Sequence, residues 1–305
     1  MALLVPAYFG PRSGNWEQLS AAAARVPLVA IANLANGPGS EPAAEPAYAA
    51  AMQKVRAAGG QVIGYVYTQY GKRALESVEE DMRRWHALYS VDGFFVDEMS
   101  NATTAPTLAY YTALRRYARQ LSAAYRIVGN PGTNTDEAYL TEPAADSLVI
   151  FENGAGYATF IPAAWTRRYP EWRFALLPYA IETADQMTNV IHQAASRRAG
   201  LIYVTDDGGN NPWDTLPSYW GAEIDWIESW NRDAASQITT QLRLAAQDGP
   251  ILSLTAAGPL GRYVLESSSP LGDWRPVSTN LTYTGTSVWQ VLNLPPNRFF
   301  RVRQN

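Results

Sequence analysis

Eight times along the first 235 residues, an apolar stretch built from Val, Ile, Leu and aromatics is followed by an amphipathic or Ala-rich one. The apolar runs lie at 3–9, 27–33, 61–67, 91–97, 126–130, 146–152, 173–179 and 200–205. The intervening segments, at 15–25, 46–58, 74–89, 104–124, 135–140, 160–169, 183–197 and 215–230, read as helices. Strands that are apolar almost throughout belong to a parallel sheet covered on both faces. Eight such units in this length predict an α/β fold, a closed (β/α)8 TIM barrel. A doubly wound open sheet is the alternative, but no glycine-rich phosphate loop follows the first strand.

From residue 236 the pattern changes. Short alternating runs such as PILSLTA, RYVLESS and SVWQVL are separated by turn signals such as GPLG and PPN. The reading is a barrel domain over 1–235 and a small, all-β, sandwich-like C-terminal domain over 236–305. The C-terminal part holds six arginines against three acids, so the acidic excess of a chain with net charge −4 resides in the barrel. Such a barrel suits a neutral or cationic ligand and gives no footprint for nucleic acid.

With no cysteine, disulfides and thiolate metal sites are excluded. No run reaches the roughly 18 apolar residues of a membrane span. The strand-like LLVPAYF follows Met1 almost at once. That suggests a removed export signal, hence a secreted or periplasmic protein. The oxygen-rich loop TDDGGNNPWD at 205–214 lacks the spacing of an EF-hand, and no metal or cofactor is expected there. Asp214 or Thr215 is expected instead to cap the last barrel helix, with Trp213 covering the site. His86 and His192 fall in separate helical segments and read as structural.

The C-terminal ends of barrel strands converge on the face where barrel enzymes do their chemistry. Here those ends carry Tyr8, Asn33, Tyr67, Asp97 with Glu98, Asn130, Glu152 with Asn153, Tyr179, and Asp206 with Asp207. Neighbours on a strand point to opposite faces, so Asp97 and Glu98 cannot both point inward. The better partner for Asp97 is Glu152, two strands on, because alternate strands contribute to one layer of side chains. Two carboxylates across a barrel mouth match glycoside hydrolysis, in which one is ionised and the other supplies a proton. The tyrosines, with Tyr70 and Trp213, read as sugar platforms, and Asn33, Asn130, Asn153, Asp206 and Asp207 as hydrogen-bonding partners. A strand-end acid can equally cap a helix or pair with an arginine.

Six ordered blocks carry a resemblance: VPAYFGPRSGNW (5–16), ANGPGS (35–40), GYVYTQYGKR (64–73), VDGFFVDE (91–98), NPGT (130–133) and NPWDTLPSYW (211–220). Together they resemble the spherulin-4-like proteins of glycoside hydrolase family 135, related to family 114, over about residues 4–230. The resemblance implies a (β/α)8 barrel that hydrolyses an α-1,4-linked galactosamine or N-acetylgalactosamine polysaccharide, endo-acting and without cofactor. It implies Asp97 as nucleophile or charge stabiliser, Glu152 as general acid/base and Glu98 as an assisting group. The C-terminal module is similar to β domains of exported bacterial enzymes. The partner expected is a polysaccharide and the expected state a monomer. The alternative is a carbohydrate-binding protein on a barrel scaffold, its acids only hydrogen-bonding sugar hydroxyls.

Overall fold

A computed structural model describes residues 1–235 throughout and, beyond them, the strands between 239 and 304. Eight parallel strands close a barrel in sequence order: β1 (Ala2–Ala7), β2 (Leu28–Ala32), β3 (Gln61–Tyr67), β4 (Gly93–Asp97), β5 (Arg126–Gly129), β6 (Ser147–Asn153), β7 (Phe174–Pro178) and β8 (Leu201–Ile202). The connecting helices are α1 (Asn15–Ala23), α2 (Pro46–Ala57), α3 (Leu75–Tyr89), α4 (Ala105–Leu121), α5 (Ala138–Thr141), α6 (Ala184–Ser196) and α7 (Trp220–Ala235).

Local chemistry starts three of these helices, α2, α4 and α6. Glu45 and Thr104 accept from the backbone N–H groups of Tyr48 and Thr107, each with proline in the first turn. Thr183 and Gln186 form a reciprocal capping box at the start of α6. The sixth connection differs from expectation. The stretch 160–169 forms short 3-10 turns rather than an α-helix, between Pro162 and Pro170, which supply no backbone N–H.

The last helix also starts later than expected, at Trp220. Neither Asp214 nor Thr215 caps it. Asp206 does the comparable work, its carboxylate accepting from the backbone N–H and the hydroxyl of Ser218. Inside α7, the fully buried Glu223 accepts from the Val204 N–H at 3.0 Å and so holds the chain beyond β8. Burial pushes the Glu223 carboxyl well up, and its second oxygen has no partner.

Close approach between sheet and helix decides one glycine. A Cβ on Gly64 would lie 2.6 Å from the ring of Trp85, a completely buried residue of α3. The Trp85 indole N–H donates to the Tyr65 carbonyl at 2.8 Å. The helix thus clamps the strand position whose side chain enters the site.

The chain divides into two compact units, Leu3–Asp225 and a second holding Met1–Ala2 with the chain from Trp226 on. The division falls inside α7. In the second unit, β9 (Thr239–Ala246), β10 (Pro250–Ala257) and β13 (Thr286–Val291) form one antiparallel sheet in the order β13-β10-β9. A second sheet, β12-β11-β14, joins β11 (Gly261–Ser268), β12 (Trp274–Thr282) and β14 (Phe299–Gln304). No helix among the described residues is long and apolar enough to cross a membrane.

Candidate active site

Asp97 ends β4 and Asn130 directly follows β5. Glu152 is the penultimate residue of β6. The Asn130 amide stands between the two acids. Its Nδ2 donates to Asp97 Oδ1 at 2.7 Å and to Glu152 Oε2 in a short bond. Two oxygens sharing one nitrogen lie no further apart than two hydrogen-bond lengths, about 5–6 Å. Asp97 and Glu152 are each half-buried as residues rather than sealed in the core.

Strand alternation alone does not aim Glu152 at this centre. Leu148 of β6 lies on the side that Gly129 faces, opposite to Asn130. Four residues further along a regular strand, Glu152 would point the same way as Leu148. Between Val149 and Phe151, however, two residues of β6 advance against one of β7. This bulge at Ile150 exchanges the two faces and turns Glu152 inward.

Glu98 is turned away by a different device. Its φ of 49° is left-handed. The buried Thr68 hydroxyl meets the carbonyls of Asp97 and Glu98 at 3.0 and 2.8 Å, and also the Tyr111 hydroxyl. Tyr111 in turn accepts from the Ser100 N–H at 2.7 Å. The Glu98 carboxylate, so placed on the rim, accepts from the Gln69 N–H at 3.1 Å.

Burial raises both central carboxyls. For Asp97 the push is opposed by hydrogen bonds from the Tyr65 side chain, the Glu98 backbone and Asn130. Glu152 is pushed up to about 7 by burial and then by the Asp97 charge, against weaker hydrogen bonding from Asn130 and Trp213. Two interacting acids give up their protons in two separate steps. Asp97, with more donors, is the one to ionise first.

Aromatic groups wall the pair. Tyr65 stacks on Phe95, with ring centres 6.3 Å apart, and meets Tyr8 edge-on at 5.5 Å. Burial and the nearby Asp97 charge hold the Tyr8 and Tyr65 phenols above their usual range, so both remain proton donors. Trp213 lies edge-on to Tyr179 at 5.7 Å, and Tyr179 packs on the backbone of Gly154. The centre therefore gathers Tyr8, Asp97, Asn130, Glu152, Tyr179 and Trp213 from the residues singled out in the sequence.

The remaining ones lie outside that contact set. The Asn33 side chain accepts from the Gly37 N–H in its own turn. Tyr67 lies beneath the Arg73 guanidinium, and Tyr70 projects outward, 63% exposed. Asn153 accepts from the Ala155 N–H. Asp206 is engaged by Ser218, as above. Asp207 accepts from the Gly208 N–H, and its hydrogen bond with Asp214, after burial, raises the Asp214 carboxyl. No cluster of His, Cys, Asp and Glu able to hold a metal ion occurs among the described residues.

Two contributors were not singled out. Tyr65 lies one alternation before Tyr67 on the same strand face, a signal the sequence did carry. Gly132, at φ 65°, lets the backbone approach Glu152; its carbonyl accepts from the Glu152 N–H at 2.9 Å. A Cβ there would lie 3.6 Å from Glu152 Cβ.

The family model described as "Spherulation-specific family 4" matches residues 2–227. The chain belongs to this family. Spherulin-4 of Physarum polycephalum is 32% identical over 241 residues, covering 75% of this chain and 70% of that protein. The crystal structure of Aspergillus clavatus Sph3 in complex with GalNAc superposes with a TM-score of 0.65 at 25% identity. It covers 74% of this chain and 97% of that one. The α-L-fucosidase isoenzyme 2 of Paenibacillus thiaminolyticus, 10% identical with a TM-score of 0.51 over 79% of this chain and 51% of its own, shares the fold alone.

Proposed function

We propose that the chain is a glycoside hydrolase acting on an amino-sugar polysaccharide, with Asp97 and Glu152 as its two working carboxylates. The observation that carries this reading is the Asn130 bridge, with Glu152 pushed up to about 7 beside an acid that ionises more readily. One group is thereby kept as a proton source and the other as an anion, the division of labour that glycoside hydrolysis needs. The GalNAc bound to the related Sph3 supports the amino-sugar class, and α-1,4-linked galactosamine or N-acetylgalactosamine polymer is the substrate proposed.

Carboxyl groups about 5–5.5 Å apart retain configuration at the anomeric carbon, whereas inverting pairs stand roughly 6.5–9.5 Å apart. One amide nitrogen shared by both acids supports the closer spacing. In the first step the Asp97 carboxylate attacks the anomeric carbon while protonated Glu152 gives its proton to the leaving oxygen. The glycosidic C–O bond breaks and a glycosyl ester forms on Asp97. In the second step ionised Glu152 takes a proton from water, the water oxygen attacks the same carbon, and the ester bond breaks. Asp97 is free again and Glu152 protonated. Glu98, on the rim, holds the loop that presents Asp97.

The test is release of reducing ends from α-1,4-galactosamine polymer, N-acetylated or not, by the full chain. Turnover is expected for the wild type and is lost in Asp97→Asn and Glu152→Gln. Wild-type rates in either variant would remove the assignment; no product from any amino-sugar polymer would remove the function.

A further inference from the structure

At the C-terminal ends of β6 and β7 lies a concavity of about 470 Å³. It runs between the loop after β6, the loop after β7 and one face of α6. Its polar lining is Asn153, Glu182, Gln186, Asn189 and Gln193, with Ile181 among the apolar groups. The volume is that of a small-ligand site.

The polar part of this lining is dominated by side-chain amides. Residues 186, 189 and 193 follow helical spacing on α6, and all three are amides. Lysine and arginine are absent from the lining, and Glu182 is its one acidic residue. Gln186 uses its carbonyl oxygen to cap the helix, accepting from the Thr183 N–H at 3.1 Å. Among the described residues, the side chains of Glu182, Asn189 and Gln193 make no hydrogen bond or ion pair. An amide both donates and accepts, which suits the hydroxyl and acetamido groups of a sugar. The Arg197 guanidinium lies behind this lining, over the Tyr157 ring and bonded to the Ala158 carbonyl, so Glu182 is the charged group on the lining itself, and a carboxylate there accepts from hydroxyls or an amine.

The groove is linked to the catalytic pair along the chain and by ring packing. Asn153 follows Glu152 directly in β6. Gly154 supports the Tyr179 ring, Tyr179 meets Trp213, and Trp213 bonds Glu152. Asn153, one residue beyond Glu152, thus belongs both to the end of β6 and to the lining of the groove.

We infer that this groove is a distal subsite that holds further rings of the same non-anionic amino-sugar chain, with Asn189 and Gln193 as its principal contacts and Glu182 as the group that favours free amines. The assignment rests on the proposed glycosidase reading and adds to it a preference for long, uncharged or amine-bearing chains. No bond is made or broken there. The groove lengthens the contact and so sets which chains are held long enough to be cut.

The test uses the full chain carrying Glu152→Gln, so that ligands bind without being consumed. Binding of a disaccharide and an octasaccharide of α-1,4-galactosamine, in N-acetylated and free-amine forms, is measured by calorimetry. The same series is repeated with Asn189→Ala and Gln193→Ala added, and separately with Glu182→Gln added. All three positions lie on the surface, and matched thermal melts check that each variant is folded. The octasaccharide is expected to bind the parent about tenfold or more tightly than the disaccharide, and the double alanine change to abolish most of that advantage. Glu182→Gln is expected to weaken the free-amine octasaccharide severalfold more than the N-acetylated one. An octasaccharide advantage untouched by the alanine pair overturns the subsite while leaving the glycosidase reading intact. Equal loss for both amine states on Glu182→Gln overturns the amine preference. A parent that binds neither oligosaccharide overturns the functional reading and the subsite with it.

Discussion

Replacing Glu152 by glutamine should make the protein more stable at neutral pH while destroying its proposed activity. In the folded chain this carboxyl titrates at about 7, against 4.5 for an unperturbed glutamate. Below pH 4.5 the folded and unfolded forms both hold the proton, and the group contributes no difference. Between 4.5 and 7 the folded form keeps a proton that the unfolded form has released, so rising pH favours unfolding. Above 7 the whole penalty is present, about 3 kcal/mol at 1.36 kcal/mol for each tenfold difference in proton affinity. An amide has the shape of the protonated acid, can still accept from Asn130, and carries no charge to desolvate. For a unit of this size, 1 kcal/mol moves the melting temperature by about 2–4 °C, so the variant should melt roughly 6–12 °C higher at pH 8. The gap should shrink steadily and close near pH 4.5. Paired thermal melts across pH 4 to 8 give the answer. A variant that melts with the wild type at every pH, or whose advantage grows toward acid, would refute the claim that Glu152 is held protonated by its surroundings.

Asn130→Ala removes the shared donor; a hydrogen bond to a charged acceptor is worth about 1.5–3 kcal/mol, so kcat should fall roughly 10–100-fold and the acid limb of the pH–rate profile should move up as Asp97 loses its stabilising partner. Tyr65→Phe should likewise shift the acid limb upward, because the phenol lowers the Asp97 carboxyl, and a profile that keeps its shape would exclude that role. Gly64→Ala should cost about 1–3 kcal/mol by driving a methyl into the Trp85 ring, measured by denaturant melts; a neutral outcome would mean that α3 is free to move outward.

The barrel was legible because its evidence is repeated. A slip in one strand still leaves seven others whose apolar runs and polar ends agree, and the β3 run at 61–67 matches the observed strand residue for residue. The position of Asp97 was legible for the same reason: alternation from Phe95 carries it inward and leaves Glu98 for the loop to turn. The orientation of Glu152 was not. It depends on an extra residue in β6 that only pairing with β7 reveals, and simple alternation from Leu148 would turn the acid the wrong way. The polar residues of the rim were over-read. Asn33 and Asp206 looked available in the sequence because their partners, Gly37 and Ser218, belong to turns whose geometry no composition specifies. The expected helix at 160–169 failed where prolines outweighed periodicity.

The rim contrasts two ways of handling a polar ligand, and the contrast bears on whether catalysis is the right reading. Hydrogen bonding to hydroxyls requires neither carboxylates nor a raised pKa. The polar groups lining the groove beside α6 are mostly amides, at little cost in desolvation. At the centre, two acids are instead brought within reach of one amide nitrogen, one of them held near 7. That arrangement destabilises the fold at neutral pH, and an amide at position 152 would relieve it without losing the ability to accept a hydrogen bond. A site that only held sugars would have no reason to carry the strain. A site that moves a proton does, because a group near 7 can both give and take one at the same pH. The Asn130 bridge adds the remaining requirement: it fixes the distance between the two acids while leaving their charges to oppose each other.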